Sequence, residues 1–340
     1  MAKKLRITLP DDWHVHLRDG ELLNAVAPFS EKHFGRVLVM PNLYPPVLTI
    51  KEALAYQERI RLAAPKLQTL MTLYWHHGLF PEEIRKAKSH HIVAIKWYPR
   101  NATTHADWGI ADWRDHEDLL KSMEEEGLVL SIHGEKADET DIFDREKVFL
   151  EKDLQPLLKR FPKLRIVLEH ISSKEAVEFV RQGPKTLAAT ITPQHLLFNR
   201  NDLLAGGIRP HFYCLPILKT REDQKALVEA ATSGHWKFFL GTDSAPHPRQ
   251  VKESPCGCAG IFSSPFALSY YAEVFAKANK LEKLEDFASF SGADFYELPR
   301  SHDEIVLIPE AITIPEQLDF GHLQLVPLAA GKIFSWQAKP

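Results

Sequence analysis

The chain reads as an α/β protein, a (β/α)8 TIM barrel with extra C-terminal helices and a tail. Three observations carry that expectation. Short, nearly continuous apolar runs recur eight times, amphipathic helical stretches separate them, and no repeat, low-complexity tract or Gly/Ser-rich linker divides the chain. Residues 1–340 are accordingly taken as one barrel domain.

The first strand is read at Leu5-Arg6-Ile7-Thr8-Leu9, an alternating run that leads into Asp11-Asp12-Trp13-His14-Val15-His16-Leu17-Arg18-Asp19. Gly35 to Met40 is the second, cut off by Pro41, and the spacing of Ala53, Leu54, Tyr56, Ile60 and Leu62 marks a helix over Thr49 to Ala63. Strands follow at Leu67 to Trp75, Ile92 to Tyr98, Leu128 to His133, Leu164 to His170, Thr186 to Thr192 and Lys237 to Thr242. Helices are expected between them at Pro81 to Lys88, Arg114 to Glu126, Asp144 to Arg160, Ser173 to Gln182 and Arg221 to Thr232. Beyond the eighth strand, Ser264 to Lys280 and Asp286 to Tyr296 read as helices, and Glu304 to Trp336 as a tail packed on the outside.

Composition narrows the function. The 340 residues, 44% hydrophobic and 26% charged, are ordinary for a globular protein with a large core. A net charge of -3 and an isoelectric point near 6.6 offer no basic face for nucleic acid and no polybasic membrane patch, so small-molecule partners are expected. No apolar run approaches the ~20 residues of a membrane span. Arg6, Pro10, Asp11 and Asp12 interrupt any signal-peptide core, and the three cysteines (Cys214, Cys256, Cys258) are too few for a disulfide framework. The cytoplasm is the expected location.

The His14-x-His16 spacing carries chemistry. On extended backbone the two imidazoles point the same way with Cα atoms roughly 7 Å apart, close enough to share a metal ion, whereas on a helix they would diverge. Asn42, Lys96, His133, His170 and Asp243 also fall at or near strand C-termini, which form one rim in a barrel. Singly, His170 could be a core histidine, Lys96 a snorkelling lysine and Asp243 a helix cap. Four histidines, a lysine and an aspartate at strand ends are instead what an open catalytic metal site requires, and imidazole and carboxylate suit Zn²⁺. An ammonium has no lone pair, so Lys96 serves as a ligand only if neutral or converted, for instance by CO₂ to a carbamate bridging two cations.

These residues lie in longer motifs: D-D-W-H-V-H-L-R-D-G at 11–20, V-M-P-N-L-Y-P-P-V at 39–47, Y-P-R-N-A-T-T at 98–104, I-H-G-E at 132–135, D-I-F-D-R-E at 141–146, A-A-T-I-T-P-Q-H-L at 188–196, R-P-H-F-Y-C-L-P-I-L-K at 209–219, G-T-D-S-A-P-H at 241–247 and K-E-S-P-C-G-C-A-G at 252–260. From Asp11 to about Tyr296 the chain resembles the shorter bacterial dihydroorotases of the amidohydrolase superfamily. The resemblance implies two Zn²⁺ per subunit, one held by His14, His16, Lys96 and Asp243, the other by Lys96, His133 and His170, with Lys96 as N6-carboxylysine. It also implies that Asp243 shuttles the proton and that Arg18, Asn42 and His247 bind the substrate's α-carboxylate. The backbone of Leu215 and Ala259 would complete the pocket, and Thr103 and Thr104 would close over substrate from a mobile loop. The implied reaction is the reversible cyclisation of N-carbamoyl-L-aspartate to L-dihydroorotate and water in pyrimidine synthesis, by a homodimer.

Two alternatives stand beside this reading. Another cyclic amidase, such as a hydantoinase or allantoinase, would leave Arg18 and Asn42 without the carboxylate they suit. A barrel that had lost catalysis and served as an assembly subunit would not need a complete ligand set. For Arg18 the plain structural role would be a surface salt bridge to Asp19 or Glu21. Cys256-Gly257-Cys258 has poor spacing for a metal pair and reads as a loop shaping the carboxylate pocket.

Overall fold

Side chains on a strand alternate faces, and in this chain that alternation sorts what fills the barrel from what lines its mouth. The structure, a computed structural model, describes residues 4–103 and 106–339. Its strands run in chain order as β1 (Leu5–Thr8), β2 (Asp11–Val15), β3 (Arg36–Val39), β4 (Gln68–Tyr74), β5 (Ile92–Trp97), β6 (Val129–His133), β7 (Ile166–Glu169), β8 (Leu187–Ile191), β9 (Phe238–Leu240) and β10 (Glu304–Ile308). From β2 to β9 each strand pairs in parallel with the next, giving the eight-stranded sheet that the apolar runs predict. Ala94, Val129, Val167, Ala188 and Phe239 pack with Trp13 and Leu38 in one apolar cluster. Two residues further along, Lys96, Ser131, Glu169 and Thr190 face the same interior one layer higher. There Glu169 accepts hydrogen bonds from Ser131 Oγ and Thr190 Oγ1, both at 2.6 Å.

No ladder joins β2 to β9 among the described residues; the seam is closed by side chains and by the segments just past each strand. The buried carboxylate of Asp12 accepts from Thr242 N (2.8 Å) and Thr242 Oγ1 (2.6 Å). Beyond it, Asp243 N donates to His14 O at 2.8 Å and His16 N to Ser244 O at 3.0 Å. The first and last strand ends are thereby held in fixed register. Below the seam Trp13 stacks on Tyr296, with ring centroids 4.5 Å apart. This close approach requires glycine at 292, where a Cβ would lie 2.1 Å from Trp13 Nε1.

Two expectations need correction, and one helix was not anticipated. Leu5–Thr8 is a strand but not a barrel strand: it pairs antiparallel with Glu304–Ile308, and the barrel instead begins at Asp11–Val15. The alternation of 5–9 identifies extended backbone, but it cannot name a partner some three hundred residues away. The tail is accordingly more than an outer wrap, since Glu304–Ile308 and Gln337–Lys339 build a small sheet on β1. Gly20–His33 forms a helix that the pattern did not disclose, because Gly20 opens it and Pro28 lies inside it. Its start is fixed by Asp19, whose side chain accepts from Gly20 N. The expected helix at Asp144 to Arg160 is continuous from Arg145, with a wider π turn over Leu150–Leu154 just before Pro156.

Candidate active site

At the C-terminal mouth the chain brings together most of the residues read from the sequence. His16, Arg18, Asn42, Thr103, His133, His170, Leu215, Asp243 and Ala259 line one pocket, joined by Tyr98, Ala245 and Gly260. His14 and Lys96 lie beneath it with no exposed surface, and His247 backs it from behind Arg18. Thr104 lies outside the described residues.

Two imidazole pairs meet at the pocket floor. His16 Nε2 is 3.1 Å and His14 Nε2 3.5 Å from Asp243 Oδ1, and the ligand atoms of these three residues all fall within 4.8 Å of one another. Across from them His133 Nδ1 lies 3.2 Å from His170 Nε2. The His14 and His170 rings, 5.0 Å apart, connect the pairs. Lys96 Nζ is buried, has no hydrogen-bond partner among the described residues and stands 4.9 Å from the Tyr98 ring centroid.

The electrostatics of this floor follow from burial. Desolvation holds His14 and His170 well below the usual imidazole range, with neighbouring cations and imidazoles adding to it. Lys96 is lowered to about 8 by burial, against the opposing pull of Glu169 and Asp243. Burial tends to raise Asp243, but the hydrogen bond from His16 and the charges of His14, His16 and Lys96 outweigh it, leaving the carboxyl below its ordinary value. His14 and His170 are therefore neutral donors of lone pairs and the aspartate is ionised, as a cation site demands.

Residues that sequence reasoning passed over aim these groups. Glu169 Oε2 lies 2.9 Å from His14 Nδ1, which leaves Nε2 turned toward the pocket. Glu135 Oε2 lies 2.9 Å from His133 Nε2, which leaves Nδ1 facing His170. Such outer carboxylates fix ring orientation and tautomer at metal sites. The backbone is bent to the same end, because Arg18 (φ 59°), His170 (φ 41°) and Asp243 (φ 45°) all occupy the left-handed region that non-glycine residues avoid.

On the other wall Arg18 Nε donates to Pro246 O at 3.0 Å and Arg18 Nη2 lies 3.0 Å from His247 Nε2. Burial and the adjacent guanidinium push His247 down to about 2, so it is neutral. Arg18 does not form the surface salt bridge that its neighbours in sequence could offer, because Asp19 pairs with Arg59 and Glu21 with His322. Its guanidinium is left facing the pocket without an ion-pair partner among the described residues.

A parallel barrel with a histidine, aspartate and lysine cluster at its mouth defines a metal-dependent hydrolase of the amidohydrolase class, and the chain belongs to the amidohydrolase family, whose model matches residues 11–303. It is 53% identical to the dihydroorotase of Nitrosococcus oceani over 99% of both chains. It also superimposes on the crystal structure of dihydroorotase from Saccharomyces cerevisiae in complex with 5-fluoroorotic acid, with a TM-score of 0.94 and 35% identity over 99% of both chains. Within the amidohydrolases it is therefore a member of the dihydroorotase group. The L-hydantoinase of Arthrobacter aurescens shares the fold (TM-score 0.81) at 17% identity, over 98% of this chain and 82% of that one.

Proposed function

We propose that this chain hydrolyses the ring amide of L-dihydroorotate and, in reverse, closes N-carbamoyl-L-aspartate into the ring with loss of water, as an enzyme of pyrimidine biosynthesis. The observation that carries the reading is one pocket holding both the His/Asp/Lys floor and the guanidinium of Arg18. A hydantoin-type substrate has no carboxylate to complete Arg18, and that argues against the nearest rival.

The floor suits a metal, as judged by its own donors. His14 Nε2 and Lys96 Nζ are buried atoms without hydrogen-bond partners among the described residues, the ligand atoms of His14, His16 and Asp243 cluster within 4.8 Å, and His133 Nδ1 and His170 Nε2 face each other at 3.2 Å. His14, His16 and Asp243 would hold one Zn²⁺, His133 and His170 a second, and a carboxylated Lys96 would bridge them. When bound, such a pair polarises a carbonyl oxygen and lowers the proton affinity of water from a pKa of 15.7 toward about 7.

The chain's own groups then do the rest. Arg18 offers a planar fork to the α-carboxylate, Asn42 a further donor, and His247, neutral and 3.0 Å from Arg18 Nη2, a third polar group for the same carboxylate. Leu215 and Ala259 line the same pocket, and their backbone would border the ring and the carboxylate. As water adds to the ring carbonyl carbon and the C–N bond breaks, the Asp243 carboxylate takes the water's proton and delivers it to the leaving nitrogen; cyclisation runs the same transfers backwards. Thr103, which lines the pocket, would close over the substrate and exclude water. The three free cysteines suit the cytoplasm, and a homodimer is carried over from similar enzymes.

Metal analysis together with an assay on dihydroorotate, hydantoin and allantoin tests the reading. Close to two zinc equivalents and turnover of dihydroorotate alone are expected. Metal-replete protein that leaves dihydroorotate untouched would overturn it. Arg18→Lys is expected to raise KM for dihydroorotate by about 30-fold or more with a smaller change in kcat, because a point charge loses the second hydrogen bond of the fork. An unchanged KM would place the carboxylate elsewhere.

A further inference from the structure

The K-E-S-P-C-G-C-A-G motif contains a charge that the reaction above does not use. Lys252, at the end of the short helix Arg249–Lys252, is only 2% exposed. Its ammonium donates to Tyr213 O at 2.9 Å and to Cys258 O at 2.7 Å. Tyr213 lies two residues before Leu215, and Cys258 immediately precedes Ala259. Leu215 and Ala259 both line the pocket, and theirs is the backbone proposed above to border the substrate. One buried cation thus ties together the two segments whose peptide groups are proposed to hold the substrate.

The tie is reinforced around it. Gly260 N donates to the same Tyr213 carbonyl at 3.1 Å. At Gly260 (φ 145°) a Cβ would lie 2.4 Å from Ala245 O, so the segment is pressed against the strand end that carries Asp243 and His247. A buried ammonium is costly unless something balances it, and among the described residues Lys252 has no carboxylate partner. Arg18 is a cation acting on it, and Cys214, Cys256, Cys258 and His247 are further titratable groups that interact with its charge. Two cations without acidic partners therefore flank one wall, and an anionic ligand is what that wall lacks.

We propose that Lys252 is a positioning residue for the substrate carboxylate: its ammonium clamps the Tyr213 and Cys258 carbonyls so that the Leu215 and Ala259 backbone faces the pocket in register, and it adds positive charge behind the carboxylate that Arg18 grips. The proposal rests on the dihydroorotase reading. It asks nothing of Lys252 in bond making or breaking, so its signature is a loss of affinity with turnover largely kept.

The test compares Lys252→Met and Lys252→Gln with wild type. Thermal melting and zinc content come first, then kcat and KM for dihydroorotate, with the Kd of orotate measured by calorimetry. Folded, zinc-loaded variants should show KM and the orotate Kd raised together by about tenfold or more, with kcat reduced less than about threefold. Lys252→Gln, which keeps an N–H donor group without the charge, should fall between wild type and Lys252→Met. An unchanged orotate Kd in folded Lys252→Met overturns the proposal. So does a parallel loss of kcat and zinc, and so does unfolding of both variants, which would assign Lys252 to the fold alone. Wild-type protein that binds orotate yet fails to turn over dihydroorotate overturns the functional reading and leaves the affinity comparison standing.

Discussion

Lys96→Ala is expected to abolish turnover, with kcat lowered by more than about 10³-fold, and small carboxylic acids such as acetate or propionate should restore part of it. A lysine at this position has no ordinary structural purpose. It lies on β5 two residues past Ala94, wholly buried, its Nζ without a hydrogen-bond partner among the described residues and 4.9 Å from the Tyr98 ring centroid. Burying an ammonium so placed costs free energy that the pull of Glu169 and Asp243 and the Tyr98 ring only partly offset, leaving its pKa lowered to about 8. Addition of CO₂ to the neutral amine, with loss of one proton, would replace that charge by a carboxylate-like group suited to the imidazoles around it. An added carboxylic acid can occupy the space left by the truncated side chain, which is why rescue separates a bridging role from a packing one. Zinc content should fall together with activity. Wild-type turnover in Lys96→Ala would remove the bridging role altogether.

What the sequence made legible is what strand geometry makes local. His14 and His16 were readable as a pair because two residues is the period of a strand, and the structure directs both toward Asp243. Lys96, His133, His170 and Asp243 were readable together because parallel strands deliver their C-termini to one rim. Arg18 lies past the end of β2 at Val15 with left-handed backbone (φ 59°), so the strand period alone does not account for its place in the pocket. The groups that escaped notice depend on contacts between strands. Glu169 is a plain neighbour of His170 in sequence, and only the pairing of β6, β7 and β8 brings it under Ser131 and Thr190 and beside His14. A signal for it did exist: polar residues two positions past a small apolar residue, in strands otherwise apolar, recur at Lys96, Ser131, Glu169 and Thr190. Asp12 stood in the opening motif, but its task of clasping Thr242 across the seam needs the barrel to be closed. Leu5–Thr8 and Lys252 are the same case, since alternation and charge are local properties and a partner is not.

The seam also sets the terms for Asp243→Asn, where kcat is expected to fall by about 10³-fold or more while KM for dihydroorotate changes far less. The substitution changes almost nothing but the charge and the proton affinity. Asn tolerates the left-handed backbone that Asp243 adopts (φ 45°), and the backbone N–H at 243 would still donate to His14 O. Thr242, held by Asp12, keeps the strand end where it is. An amide oxygen is, however, a poorer partner for a cation near His14 and His16, and it cannot accept a proton and release it to a leaving nitrogen. Arg18 and His247 are untouched, and the grip on the carboxylate should survive. Calorimetry with orotate, alongside turnover and zinc content, distinguishes the two losses. Retained zinc with lost turnover isolates the proton transfer, whereas lost zinc shows that the ligand role dominates. Retained turnover would mean that the proton travels by another group, and among the described residues the pocket offers His16, His133, His170 and Tyr98, whose hydroxyl burial holds well above its usual range.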